Sequence, residues 1–108
     1  MSFVEIAQVN QVPVGTMKSF PVSGKQILIV NLEGNFYAIA NECTHMGGDL
    51  SKGKLEGQNI TCPRHGAKFD VTSGECITFP KIAFFRPKIK NENTYEVKVE
   101  GNSIKVNI

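Results

Sequence analysis

Tyr95-Glu96-Val97-Lys98-Val99-Glu100-Gly101-Asn102-Ser103-Ile104-Lys105-Val106-Asn107-Ile108 is the stretch whose reading decides the fold. Apolar residues at 95, 97 and 99 alternate with charged residues at 96, 98 and 100. Beyond the turn formers Gly101-Asn102, apolar residues at 104, 106 and 108 alternate with polar ones at 105 and 107. A period of two puts one side of each segment on an apolar face and the other in water, as in two half-buried strands joined by a hairpin.

Working outward, Phe3 to Val9 and Lys25 to Leu32 are rich in β-branched and large apolar residues. Glu33-Gly34-Asn35 then turns into Phe36 to Ala40, which predicts a second hairpin. Glycine and proline recur throughout, and no stretch long enough for a helix keeps a helical period. The expectation is an all-β chain built as a small sandwich or partly open barrel. No repeat, linker or low-complexity segment interrupts it.

At 108 residues the chain has enough material for one domain with one core, and an apolar share of 41% excludes disorder. A net charge of +2 is too small to imply nucleic acid. Met1 to Gln8 has neither the basic start nor the apolar core of a signal peptide. No apolar run approaches the ~20 residues that span a bilayer. These features predict a soluble, cytoplasmic protein without membrane or nucleic-acid partners. The odd count of three cysteines agrees with a reducing compartment, because disulfide frameworks use even numbers.

The middle of the chain carries the chemistry. Cys43-Thr44-His45-Met46-Gly47-Gly48 is one block and Cys62-Pro63-Arg64-His65-Gly66-Ala67 the other, with sixteen residues between His45 and Cys62. The only two histidines each sit beside a cysteine. Both blocks are turn-rich and follow strand-like runs, so they read as two loops at the tips of hairpins that bring four ligands to one end of a β scaffold. Two thiolates and two imidazoles suit a mixed-ligand iron–sulfur centre. They also match the ligand count of structural zinc, although structural zinc sites usually keep two cysteines close together, and here eighteen residues lie between them. Nothing marks either cysteine as a catalytic nucleophile.

These blocks resemble the Rieske family, whose pattern is Cys-x-His followed after about 15–17 residues by Cys-x-x-His. Lys68-Phe69-Asp70 and the Ser73-Gly74-Glu75 turn also resemble Rieske-type ferredoxins. The resemblance is specific from about Asn41 to Pro80. It implies one 2Fe–2S cluster per chain, with Cys43 and Cys62 on the inner iron and His45 and His65 on the outer one. It further implies that residues 1–108 form a single Rieske domain, with a cluster-binding subdomain at about 41–80 inserted in the β scaffold. Pro80 would belong to a proline-containing loop over the cluster, and Gly47, Gly48 and Gly66 would let the backbone approach its sulfides.

Four positions narrow the type. High-potential members carry a further cysteine in each loop, and the two are disulfide-bonded; Gly48 and Arg64 stand at those places. They also place a Ser and a Tyr hydroxyl against the cluster, where this chain has Ala67 and Phe69. Hydrogen bonds to the sulfurs stabilise an added electron, so losing them lowers the potential. The resemblance therefore implies a low-potential ferredoxin rather than an enzyme. It would receive electrons from a flavin-dependent or other ferredoxin reductase and pass them to a terminal oxygenase or reductase. The small Rieske-like subunit of an assimilatory nitrite reductase, a redox-sensing or structural cluster protein, and a zinc-binding interaction module are the alternatives.

Charge is uneven. Residues 50–90 hold eight basic side chains (Lys52, Lys54, Arg64, Lys68, Lys81, Arg86, Lys88 and Lys90) against three acidic ones (Glu56, Asp70 and Glu75), so this segment is +5 and the rest −3. A basic rim of this kind would suit an acidic docking surface on a partner. Cys76 is left over as a packed thiol. Ile82-Ala83-Phe84-Phe85 reads as core packing with a local bulge, since adjacent phenylalanines cannot both face inward on a regular strand.

Overall fold

The structure, a computed structural model, describes residues 2–44, 48–64, 66–79 and 89–108. Expectations for Pro80 and for Ile82 to Phe85 lie outside these residues. Among the described residues the strands are β1 (Phe3–Gln8), β2 (Met17–Val22), β3 (Lys25–Leu32), β4 (Asn35–Ala40), β5 (Lys54–Glu56), β6 (Asn59–Thr61), β7 (Lys68–Asp70), β8 (Cys76–Thr78), β9 (Thr94–Tyr95), β10 (Val97–Glu100) and β11 (Ser103–Asn107). They form three antiparallel sheets, ordered β1-β11-β10, β2-β3-β4-β9 and β5-β6-β7-β8. The all-β reading holds; the helical elements among the described residues are two 3-10 turns, Val9–Gln11 and Leu50–Lys52. No helix among the described residues is long and apolar enough to cross a membrane.

β3 is the pivot. Its run Ile27-Leu28-Ile29-Val30 is fully buried because the strand is covered on both faces. Ile27 and Ile29 join Ala7, Phe20, Ile104 and Val106 in one core, beneath the β1-β11-β10 sheet. Leu28 and Val30 point the other way, into a core with Cys43, Leu50, Ile60, Cys62 and Phe69. The second core carries the two block cysteines and joins β3 and β4 to the β5-β6-β7-β8 sheet.

Both predicted hairpins are present. Leu32 pairs with Asn35 across Glu33-Gly34, whose φ values of 55° and 95° are those of a type I′ turn. Glu100 pairs with Ser103 across Gly101-Asn102. Three readings need correction. Val9 leaves the first strand and begins a 3-10 turn. The run from Tyr95 to Val99 is two strands, because β9 pairs with β4 and β10 with β11; its last apolar residue, Val99, is 45% exposed. β2 went unpredicted. It buries only Phe20 and Val22 and carries Pro21, which is tolerated because β2 is an edge strand.

Candidate metal centre

The two blocks are built on one device. In the first, the Cys43 N–H donates to the Gly48 carbonyl at 2.7 Å; in the second, the Cys62 N–H donates to the Ala67 carbonyl, also at 2.7 Å. Each cysteine thus closes a loop onto the residue five places on. The second loop joins β6 to β7 as a hairpin tip, and Gly66, with φ of 77°, makes the turn back to Cys62, whose carbonyl it reaches at 3.2 Å. The first loop departs from the expectation of a hairpin tip between strands. It leaves β4, is closed by a bridge between Glu42 and Asp49, and runs into the 3-10 turn.

A polar knot holds the base of that first loop. Buried Asn41 donates through Nδ2 to Asp49 Oδ1 at 2.8 Å and accepts from the Ser51 N–H at 2.9 Å. Asp49 also accepts from the Ser51 hydroxyl at 2.6 Å. The Ser51 and Asn41 side chains hold the Asp49 carboxyl below the usual carboxylate range.

The loops face each other. A Cβ on Gly48 would stand 2.7 Å from Cys62 Sγ and 3.4 Å from Arg64 Cγ. A side chain at position 48 would therefore force Cys62 Sγ to shift, and positions 48 and 64 are neighbours across the loops, with no cysteine at either to bridge them. None of the three cysteines is in a disulfide. Cys43 and Cys62 are 2% and 1% exposed among apolar side chains. Two thiolates there would be costly without a cation to neutralise them, and soft sulfur donors in a dry pocket suit iron. The described half of the donor set thus fits an iron–sulfur centre. His45, His65 and Gly47 lie outside the described residues, and no group of three metal-capable side chains converges among those described.

Ala67 and Phe69 are fully buried in the same core as the cysteines. Cys76 is half-buried against that core; its Sγ contacts the Thr78 carbonyl at 3.5 Å, and burial pushes its thiol up. Of the basic residues, Lys52, Lys54, Arg64 and Lys90 are exposed and Lys68 half-buried, while Lys81, Arg86 and Lys88 are not among the described residues.

The segment 90–93 straps the first loop to the turn after β7. The Thr44 hydroxyl donates to the Lys90 carbonyl at 2.6 Å, and the Thr44 N–H donates to Glu92 Oε1 at 2.6 Å. The Glu92 N–H donates to the Gly74 carbonyl at 2.7 Å, and the Asn93 carbonyl accepts from the Ala40 N–H at 2.9 Å. Glu92 is only 5% exposed, and its Oε2 finds no hydrogen-bond partner among the described residues. Burial pushes its carboxyl up to about 7; the Thr44 N–H opposes that shift and the Glu42 carboxylate adds to it. No local pattern marks Glu92, because Asn91-Glu92-Asn93 reads as an exposed polar turn.

Residues 2–96 match the family model for the Rieske [2Fe-2S] domain. The ferredoxin component of the naphthalene 1,2-dioxygenase system of Pseudomonas aeruginosa is 33% identical over 98% of this chain and 95% of its own length. Among solved structures, the ferredoxin of carbazole 1,9a-dioxygenase from Nocardioides aromaticivorans IC177 superposes with a TM-score of 0.81 at 30% identity, covering 98% of this chain and 97% of that one. A complex of reduced oxygenase and oxidized ferredoxin in carbazole 1,9a-dioxygenase contains a chain that matches with a TM-score of 0.79 at 27% identity, covering 96% of this chain and 91% of that one.

Proposed function

The chain belongs to the Rieske [2Fe-2S] domain family, and from that premise we propose that it is the ferredoxin of an oxygenase system, with its centre held by Cys43, His45, Cys62 and His65. It is an electron carrier and not itself a catalyst. The bound 2Fe–2S centre supplies a site that takes up and releases one electron. The protein's part is to hold that site: Cys43 and Cys62 would ligate one iron and His45 and His65 the other, within a subdomain spanning about residues 41–80. The observation that carries this reading is the pair of buried thiols on two facing loops, each closed by the same backbone bond.

The electron arrives from a flavin-dependent or other ferredoxin reductase and leaves to a terminal oxygenase, the component found in complex with a ferredoxin in the carbazole 1,9a-dioxygenase structure above. Exposed Lys52, Arg64 and Lys90 favour a partner with an acidic docking surface. We place this exchange in the cytoplasm, between soluble proteins. Gly48 and Arg64 where a disulfide would stand, together with Ala67 and Phe69, support a low-potential member.

Iron analysis, absorption and electron paramagnetic resonance of the purified protein test the reading. Two irons per chain and a Rieske-type signal in the reduced state are expected. Replacing Cys43 or Cys62 by Ser should abolish both. His45→Cys or His65→Cys should lower the potential or lose the cluster, since an anionic thiolate replaces a neutral imidazole. A colourless protein carrying zinc would overturn the proposal.

A further inference from the structure

We propose that Glu92 is a positioning residue for the first loop: its carboxylate holds the Thr44 peptide and so sets how Cys43 and His45 present themselves to the centre. This rests on the ligand assignment above and extends it to a residue outside both blocks.

Thr44 is the single residue between the two ligands of the first loop. A rotation of the peptide joining it to Cys43 therefore moves the backbone of both. That peptide's N–H is bonded at 2.6 Å to Glu92 Oε1, a partner 48 positions away in the chain. The Thr44 side chain is held separately, by the Lys90 carbonyl. Thr44 is thus fixed at two atoms by one strap.

The strap is anchored independently. The Glu92 N–H bonds to the Gly74 carbonyl, and the Cys76 N–H bonds to Asn91 Oδ1 at 2.9 Å. Gly74 has no side chain where a Cβ would collide with the Glu92 carbonyl oxygen. Gly74 lies in the turn after β7, and β7 leads out of the second loop. Glu92 therefore links the frame of one ligand loop to the peptide of the other.

A carboxylate is an expensive group to use merely as filler. Glu92 is 5% exposed, and one of its oxygens has no hydrogen-bond partner among the described residues. An apolar side chain would fill that space without leaving a polar atom unsatisfied. What such a side chain could not do is accept the Thr44 N–H.

The test compares holo-protein carrying Glu92→Leu, Glu92→Gln and Glu92→Asp with the wild type. Three readouts are taken: the midpoint potential, the paramagnetic resonance spectrum of the reduced state, and the rate of iron loss to a chelator. Glu92→Leu removes the acceptor of the Thr44 N–H, and it removes a negative charge beside the ligand loop, so the potential should rise. The spectrum should change, and iron should leave about 10-fold faster. Glu92→Gln keeps an acceptor oxygen at the same reach and should retain the wild-type spectrum and iron-loss rate. If Glu92→Leu does not fold, Glu92→Asp, one methylene short of Thr44, should still alter the spectrum. Glu92→Leu or Glu92→Asp with wild-type potential, spectrum and iron retention would overturn the positioning role, even if its melting temperature fell. Absence of a Rieske signal in the wild type would instead overturn the proposed function, and this inference with it.

Discussion

Ala67 and Phe69 would tune the proposed centre by what they lack. Both are fully buried beside the cysteines, and neither side chain has a hydroxyl to donate. A neutral hydrogen bond contributes about 1 kcal/mol, which for one electron is about 40 mV. The midpoint potential is expected below about 0 mV, and a redox titration giving about +300 mV would contradict it. Phe69→Tyr should raise the potential by about 40 mV if its hydroxyl reaches a sulfur. Glu92 carries the second residue-scale prediction. Its carboxyl lies near 7 in the folded protein against an ordinary 4.5, so the native state holds the proton more tightly than the unfolded chain. The associated stability is present below about pH 4.5 and is lost as pH rises through 7. The loss is on the order of 2 kcal/mol once partial screening by water is allowed for. Glu92→Gln should abolish that slope in denaturant unfolding followed from pH 5 to pH 8; an unchanged slope would count against it. Cys43 and Cys62 were legible as candidate ligands because residue type and spacing alone single them out. Glu92 was not, since an acidic residue between two asparagines becomes special only when folding buries it.

At the level of elements, the turn after β7 is exacting. Gly74 has φ of 79°, and a Cβ there would collide with the Glu92 carbonyl oxygen. Gly57, between β5 and β6, has φ of 60°, but an added methyl would meet nothing within 4 Å. Gly57→Ala should therefore cost only the backbone strain, about 1 kcal/mol. Gly74→Ala adds a steric term of about 1–3 kcal/mol. Chemical denaturation of the two variants measures the difference, and equal losses would show that the strap yields to the new methyl. The same contrast explains which elements could be read in advance. β3 and the β10–β11 hairpin announce themselves through long apolar runs or strict alternation. The strands β5 to β8 are three residues each, too short for a period to register. β2 was concealed by Pro21, and its edge position is a property of the sheet rather than of the segment.

For the molecule as a whole, charge predicts behaviour toward partners. The +5 of residues 50–90 is set against −3 elsewhere. Lys52, Lys54, Arg64 and Lys90 are exposed, and Lys54 makes a long 3.8 Å contact to Glu56. Electron transfer to an acidic partner should slow by about 10-fold or more as ionic strength rises, because screening removes the long-range attraction. Stopped-flow rates indifferent to salt would remove the steering role. By itself the sequence determined the β class, the two hairpins and the pair of Cys–His blocks, since each of these is a local pattern of residue type and spacing. Tertiary structure alone decided that β3 serves two cores, that Gly48 meets Cys62 and Arg64 across the loops, and that Glu92 reaches Thr44. The physical reason is the same in each case: burial and facing are relations between segments distant in the chain, and no local period encodes them.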